Sequence, residues 1–415
     1  MSPSRALGSV GWLLLASSTA LASDEPPVTV SANGHVKSFA LATVPYDHVL
    51  MPASPTGQGV LDARLNLGLQ YKKLLRFEVA HAVTSLLGSP ASSLGVAQTG
   101  VAIEAPEALP LSWAALDEPD STFSLTGRTD RLLVKLRVPH LDLTLGRQPI
   151  SFGTGLFFTP LDLVNPFTPA TIDSEYKPGV DAFRVDGFVG VSTRLTAVAA
   201  YAGDWSLEGT TFALNGQTTV GVTDLGLFYG LVQADHVIGA TAVSGIGPIG
   251  IHADAAVTIP ASDDEDVFFR GVLGADGRPT NTTSIFGEVY VQTFGTTDYS
   301  EYLNLVTSDR FARGEVWTVG LLYAGLGISQ EIVPTFTANL SVLSNVLDPS
   351  AFLAPGINWS VAEEADVIAG GYIGLGKRPE EVDILALLDP QADLGIRSEF
   401  GVLPTTFFVQ VRTYF

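Results

Sequence analysis

From Leu61 to Tyr71 the chain reads LDARLNLGLQY, and this strict alternation constrains the fold more than any other feature. Leu61, Ala63, Leu65, Leu67, Leu69 and Tyr71 fall on one face of an extended chain, with Asp62, Arg64, Asn66 and Gln70 on the other. A run of about ten residues with period two is the length of a strand that crosses a bilayer with one face in lipid. The next run, KLLRFEVAHAV, repeats the pattern, with Leu75, Phe77, Val79 and Val83 outward and Arg76 and Glu78 inward. Similar segments recur along the chain, among them RLLVKLRV, TRLTAVAAY, IGIHADAAVTI and SIFGEVYVQTF, and the last is TTFFVQVRTYF.

Composition points the same way. Apolar residues make up 46% of the chain and charged residues only 16%, against about 25% charged in a soluble domain. After the N-terminus no window approaches the ~18 uninterrupted apolar residues that a spanning helix needs. In lipid only helices and closed barrels satisfy every backbone group, so alternate positions of membrane strands are where so many apolar residues belong. The expected fold is all-β, a transmembrane antiparallel barrel. Fourteen segments alternate clearly and weaker ones raise the total to eighteen; since bacterial barrels take even numbers, about sixteen strands are expected.

The first residues carry Arg5, an apolar stretch from Val10 to Ala16, and Ala20-Leu21-Ala22, the pattern of a secretory signal peptide over 1–22. Residues 23–60 have no strong period and read as a leader, extended or packed inside the barrel; 61–415 are the barrel itself. There are no cysteines, which removes disulfides and Cys-based metal sites from an exported chain. The net charge of -21 makes nucleic acid an unsuitable partner.

Gly146 to Arg184, GRQPISFGTGLFFTPLDLVNPFTPATIDSEYKPGVDAFR, breaks the alternation with five prolines and a cluster of Phe. A long aperiodic segment rich in aromatics reads as an ordered functional loop, placed at the mouth of the barrel or in its lumen. Gly146-Arg147-Gln148, Phe152-Gly153, Asn165-Pro166 and Glu175 to Asp181 resemble the pattern of porin-like outer-membrane barrels of Gram-negative bacteria, including those related to alginate-export proteins. Relatives commonly have Trp where this chain has Phe152. The resemblance covers about 40 residues and implies a passive or facilitated pore in the outer membrane; it names no substrate. The closing strand, with Phe407, Val409, Val411, Thr413 and Phe415 on one face, resembles the C-terminal signature of such barrels, which implies that the assembly machinery reads Phe415.

Alternation points Lys135, Arg137, Asp142, Arg184, Asp186 and Arg194 away from lipid, so they should line water. Asp181 belongs to the same candidate constriction, and Arg147 falls on the wrong parity and needs a bulge or a place at the rim. Residues 61–200 hold 12 basic and 14 acidic residues, whereas 201–415 hold 8 and 26. One expectation is that these charges face each other at a constriction near the long segment and favour cations or neutral solutes. The other is that they are ion pairs stabilising a wet interior.

No enzyme reading gains ground. His252 and Asp254 share an inward face near Asp263 to Asp266, but such groups are ordinary in a wet barrel; no Gly-x-Ser-x-Gly elbow occurs, and the six histidines lack zinc spacing. The sequence therefore predicts a non-enzymatic pore without a cofactor, passing small hydrophilic solutes. Its partners are outer-membrane lipid and the assembly machinery, and self-association into a homo-oligomer is compatible with this reading. The alternative is a plugged barrel that scaffolds surface structures or docks an export system.

Overall fold

The computed structural model describes residues 27–48, 51–52, 54–88, 106–115, 122–166, 175–382 and 393–415. The expected signal peptide lies outside the described residues, and so do most of 88–119, whose Pro and Ala content predicts an exposed loop, and the apolar centre of 377–393, whose sequence fits either a strand or a short helix. Nineteen strands form one sheet. They are β1 (Val28–Val44), β2 (Thr56–Tyr71), β3 (Leu75–Gly88), β4 (Trp113–Ala115), β5 (Phe123–Val138), β6 (Leu141–Gln148), β7 (Val180–Val189), β8 (Thr193–Tyr201), β9 (Thr210–Val220) and β10 (Thr223–Val232). There follow β11 (Asp235–Ile246), β12 (Ile249–Ile259), β13 (Phe268–Thr280), β14 (Thr283–Gln292), β15 (Leu322–Val333), β16 (Phe336–Asn345), β17 (Ser350–Ala362), β18 (Ala365–Leu375) and β19 (Thr405–Tyr414).

Every pairing is antiparallel, and β1 hydrogen-bonds both to β2 and to β19, so the sheet closes on itself. β4 stays outside the ring and covers the edge of β5 at Gly127, beyond the point where β6 ends. The wall is a closed barrel of 18 strands, not about sixteen. Its lumen is too wide for side chains alone to fill. The four wall strands beyond the fourteen segments read from sequence are β1, β9, β13 and β17.

Two of these show where the pattern blurs. On β1 Val28, Val30 and Val36 are exposed outward, but from Ser38 to Ala42 the outward positions are small (Ser38, Ala40, Ala42) while the inward side carries Phe39 and Leu41. On β13 Gly271 and Gly277 face outward and Val272 inward; the acidic run from Ala261 predicts an exposed loop as far as Thr280, but the chain is a strand from Phe268. β1 also corrects the expected leader: Val28–Val44 is wall, and the barrel begins well before Leu61.

Elsewhere the alternation is realised as read. Leu61, Leu65, Leu67, Leu69, Phe407, Val409 and Val411 are exposed on the outside, where water would be a poor solvent and lipid a good one. The turns at the end where β1 begins and β19 finishes are short, such as Pro139–His140, Gly221–Val222 and Glu363–Glu364, and the long connections lie at the opposite end. At Asp130 the β3–β5 register slips by one residue. This bulge turns Asp130 inward, where it accepts both Arg64 Nη1 (2.6 Å) and Arg64 Nη2 (2.7 Å).

Much of the interior is apolar. One buried cluster joins Ile150, Phe152, Leu161 and Leu163 to Val198, Phe228, Val237 and Ala256 of the wall. A second joins Phe158, Tyr290, Tyr323, Phe352, Tyr372 and Phe408 to Phe400 of the 376–404 connection. The connection 293–321 docks through Arg310, which pairs with Asp235 (2.8 Å), Glu315 (2.8 Å) and Glu265.

Candidate constriction inside the barrel

Past Gln148 the chain leaves the wall and turns inward. At Gly153 φ is +94°, and a side chain there would meet the Asp254 carboxylate at 2.9 Å. Asp254, on the inward face of β12, accepts Thr154 N (2.6 Å), Thr154 Oγ1 (2.6 Å) and Gly155 N (3.1 Å). Glu288, inward on β14, accepts the backbone N–H of Leu156, of Phe157 (2.8 Å) and of Phe158 (3.1 Å). Consecutive amides from Thr154 to Phe158 are thus spent on two wall carboxylates. His252 Nε2 lies 2.8 Å from Glu288 Oε1 and braces the second of them.

Aromatic packing seats the same segment. Phe158 is fully buried and stacks on Tyr290, with centroids 4.5 Å apart and planes 8° apart, and on Trp317 at 5.3 Å. Phe157 meets Phe286 at 4.9 Å and Phe152 meets Phe228 at 5.2 Å. Such pairs contribute about 0.5–1.5 kcal/mol each beyond burial.

The returning limb reaches another part of the wall. Glu175 pairs with Lys37 of β1 (2.7 Å), and the Tyr176 ring lies under Arg64 of β2, 4.2 Å from its centroid. β12 stands nine places after β2 in the ring of 18, half-way round. The two limbs of residues 150–179 are therefore fastened to opposite walls. They are tied together by Lys177 to Asp162 (2.5 Å) and by Asn165 Nδ2 to the Pro178 carbonyl (2.8 Å). Burial pushes the Asp162 carboxyl up to about 6 in spite of Lys177, and burial pulls the Lys177 ammonium down in spite of Asp162.

The residues expected to line the pore fall into three groups. Lys135 pairs with Asp142 (2.8 Å), Arg137 approaches the same carboxylate (3.8 Å), and Arg184 pairs with Asp186 (2.7 Å). These charges neutralise one another side by side on one wall rather than facing each other across a gap. Arg147 and Asp181 are register partners on the parity opposite to Arg184. Arg147 is buried at the rim, bonded to Asp181 (2.7 Å), Glu107 (2.6 Å) and the carbonyls of Thr129 (2.9 Å) and Leu109 (2.7 Å). Burial pushes the Glu107 carboxyl up, but the Ser112 hydroxyl, Arg147 and nearby amides outweigh it and hold it below its usual range. Arg194 forms no ion pair among the described residues; it donates to Gln217 Oε1 (2.5 Å), with Asp186 within electrostatic reach.

The strap's fastenings were harder to read. His252 and Asp254 stood out in sequence, for chemistry rather than for holding a loop. Glu288 was a lone acid in SIFGEVYVQTF, and its only signal was its inward parity. Lys37 lies on β1, in the stretch expected to be a leader.

No protein-family model and no curated protein matches the chain. Among solved structures, a BenF-like porin from Pseudomonas fluorescens is similar with TM-score 0.55 and 7% identity, over 93% of this chain and 98% of that one. A mutant of Rh. blastica porin gives TM-score 0.47 and 12% identity, over 93% of this chain and 100% of that one. The closed antiparallel ring, apolar outside and bridged inside by a loop, is the fold of a porin-type β-barrel.

Proposed function

We propose that the chain is an outer-membrane channel through which small hydrophilic solutes diffuse down their gradients. One observation carries this reading: an 18-stranded wall encloses a bore, and a strap fastened to opposite sides narrows that bore instead of merely covering its mouth. Solute would pass along the wall of β5 to β8 at Lys135, Asp142, Arg184 and Asp186, clear of the strap's apolar contacts at Ala182 and Val198, where paired charges keep the surface wet. Pairing leaves little net field there, so the ion preference of this wall is weak. Membrane insertion would follow removal of residues 1–22 and recognition of Phe415 by the assembly machinery. Phe415 is exposed and exchanges backbone bonds with Gly34 (2.9 and 3.1 Å), as a sealing strand end should.

A second reading has its own support. The interior clusters built on Phe158, Phe400 and Trp317 fill part of the lumen, as a plugged scaffold would require. Reconstitution into planar bilayers separates the two. A pore gives discrete current steps that grow when residues 153–164 are deleted; a plugged scaffold gives none.

A further inference from the structure

Beside the strap lies a hollow of about 400 Å³, lined by Thr154, Arg194, Gln217, Thr219, Asp224 and Thr241. That is room for roughly a dozen waters, at about 30 Å³ each. Cross-strand register sets out its floor. Arg194 of β8 pairs with Gln217 of β9, Gln217 with Gly226 of β10, Gly226 with Thr241 of β11, and Thr241 with Asp254 of β12. Gly226 carries no side chain, and the Thr241 hydroxyl leans into the space above it, 2.3 Å from where a Cβ would stand. At one end of the row is the Arg194 guanidinium, and at the other is Thr154, hung from Asp254.

The charges here differ from those on the rest of the wall. Lys135, Arg137 and Arg184 each have a carboxylate partner, whereas among the described residues Arg194 forms no ion pair and donates to the Gln217 amide oxygen (2.5 Å), with Asp186 within electrostatic reach. Asp224 likewise forms no ion pair among the described residues and accepts from Thr219 Oγ1 (2.6 Å). Both are exposed, both face the bore, and they form no ion pair with each other. A cation and an anion held apart across a small wet hollow repel simple ions of either sign at one pole. A solute carrying both charges satisfies the two poles together.

We propose that this hollow is a binding subsite for small zwitterions, an amino acid or a dipeptide, with the solute carboxylate on Arg194 and its ammonium on Asp224. Gln217, Thr219 and Thr154 supply neutral hydrogen bonds between the poles. The inference rests on the channel reading for its role in permeation, but not for the binding itself.

The test uses the full-length protein in planar bilayers, with glycyl-glycine, acetate, ethylammonium and glycerol as probes. Glycyl-glycine is expected to reduce the potassium current saturably. Arg194→Gln and Asp224→Asn should each raise its half-blocking concentration about tenfold, the scale of one charge-assisted contact. Acetate, ethylammonium and glycerol should block far less. The proposal is overturned if glycyl-glycine acts no more strongly than glycerol, or if acetate blocks as well and Asp224→Asn changes nothing. Should the protein show no current steps, the channel reading fails alone. Binding of glycyl-glycine to the detergent-solubilised protein, by saturation-transfer NMR, then decides the subsite: weakening in both variants supports it, and absence of binding overturns it.

Discussion

The two sides of the bore use their carboxylates differently. On β5 to β8, Asp142 and Asp186 bind basic side chains of the same wall, Lys135 and Arg184. On β12 and β14, Asp254 and Glu288 bind backbone amides of the strap. The first arrangement keeps a surface neutral and hydrated without fixing anything else. The second positions a loop, because each carboxylate holds consecutive N–H groups that would otherwise lie unsatisfied in a crowded interior. Charge removed from one side should therefore alter ion preference, and from the other should alter pore geometry.

The strongest way to break this contrast is the double variant Asp254→Ala, Glu288→Ala. Each carboxylate accepts at least three strap donors, and their loss costs on the order of 3 kcal/mol or more per site. The strap should detach, and single-channel conductance should rise several-fold with added noise. An unaltered conductance would place the narrowing elsewhere.

Phe158→Ala comes next. The ring is fully buried between Tyr290 and Trp317, so its removal should destabilise the folded barrel by about 3–5 kcal/mol, read from urea unfolding in detergent. A change within experimental error would mean that the strap is seated by its amides alone.

Smaller still is the effect expected on the opposite wall. Arg137→Ala with Arg184→Ala leaves Asp142 and Asp186 less compensated, which should shift the reversal potential toward cation preference while conductance stays close to wild type. A large change in conductance instead would show that these pairs shape the bore.

The least effect is expected at Asp162. Its carboxyl is raised from 3.8 to about 6 by burial, so the folded state binds this proton more tightly than the unfolded state does. Stability from this group is thus gained as pH falls from about 6 toward 3.8 and is absent above about 6. Isotope-edited infrared spectra should show one carboxyl titrating near 6 that Asp162→Asn removes, with the strap still in place.

How much of this was legible depends on where each strand puts its apolar residues. β2, β3 and β19 keep large apolar groups outside and polar groups inside, so their sequences show both the strand and its facing. β1, β9, β13 and β17 do so along only part of their length. β9 keeps Phe212 and Leu214 outside, but its second half is polar on both faces at Gln217, Thr218 and Thr219. On the other three Phe39, Leu41, Val272 and Phe352 point inward, to pack with one another or with loops, which blurs the contrast that alternation needs. The aperiodic segment could be recognised because Pro and Phe stand out against alternating neighbours. Its fastening could not, because Asp254 and Glu288 meet it 99–132 residues later in the chain, and backbone amides leave no mark in a sequence. Arg147 shows the middle case: its parity announced that it could not line the bore with Lys135, and Glu107, which buries it, lay beyond what spacing shows.

The central claim is that the closed ring conducts and that the strap sets how much. Single-channel recording of the purified protein in planar bilayers, wild type beside Asp254→Ala, Glu288→Ala, tests it most directly. Discrete steps in the wild type and larger ones in the variant are the predicted result. Silence from both proteins, once inserted and heat-stable, would contradict it.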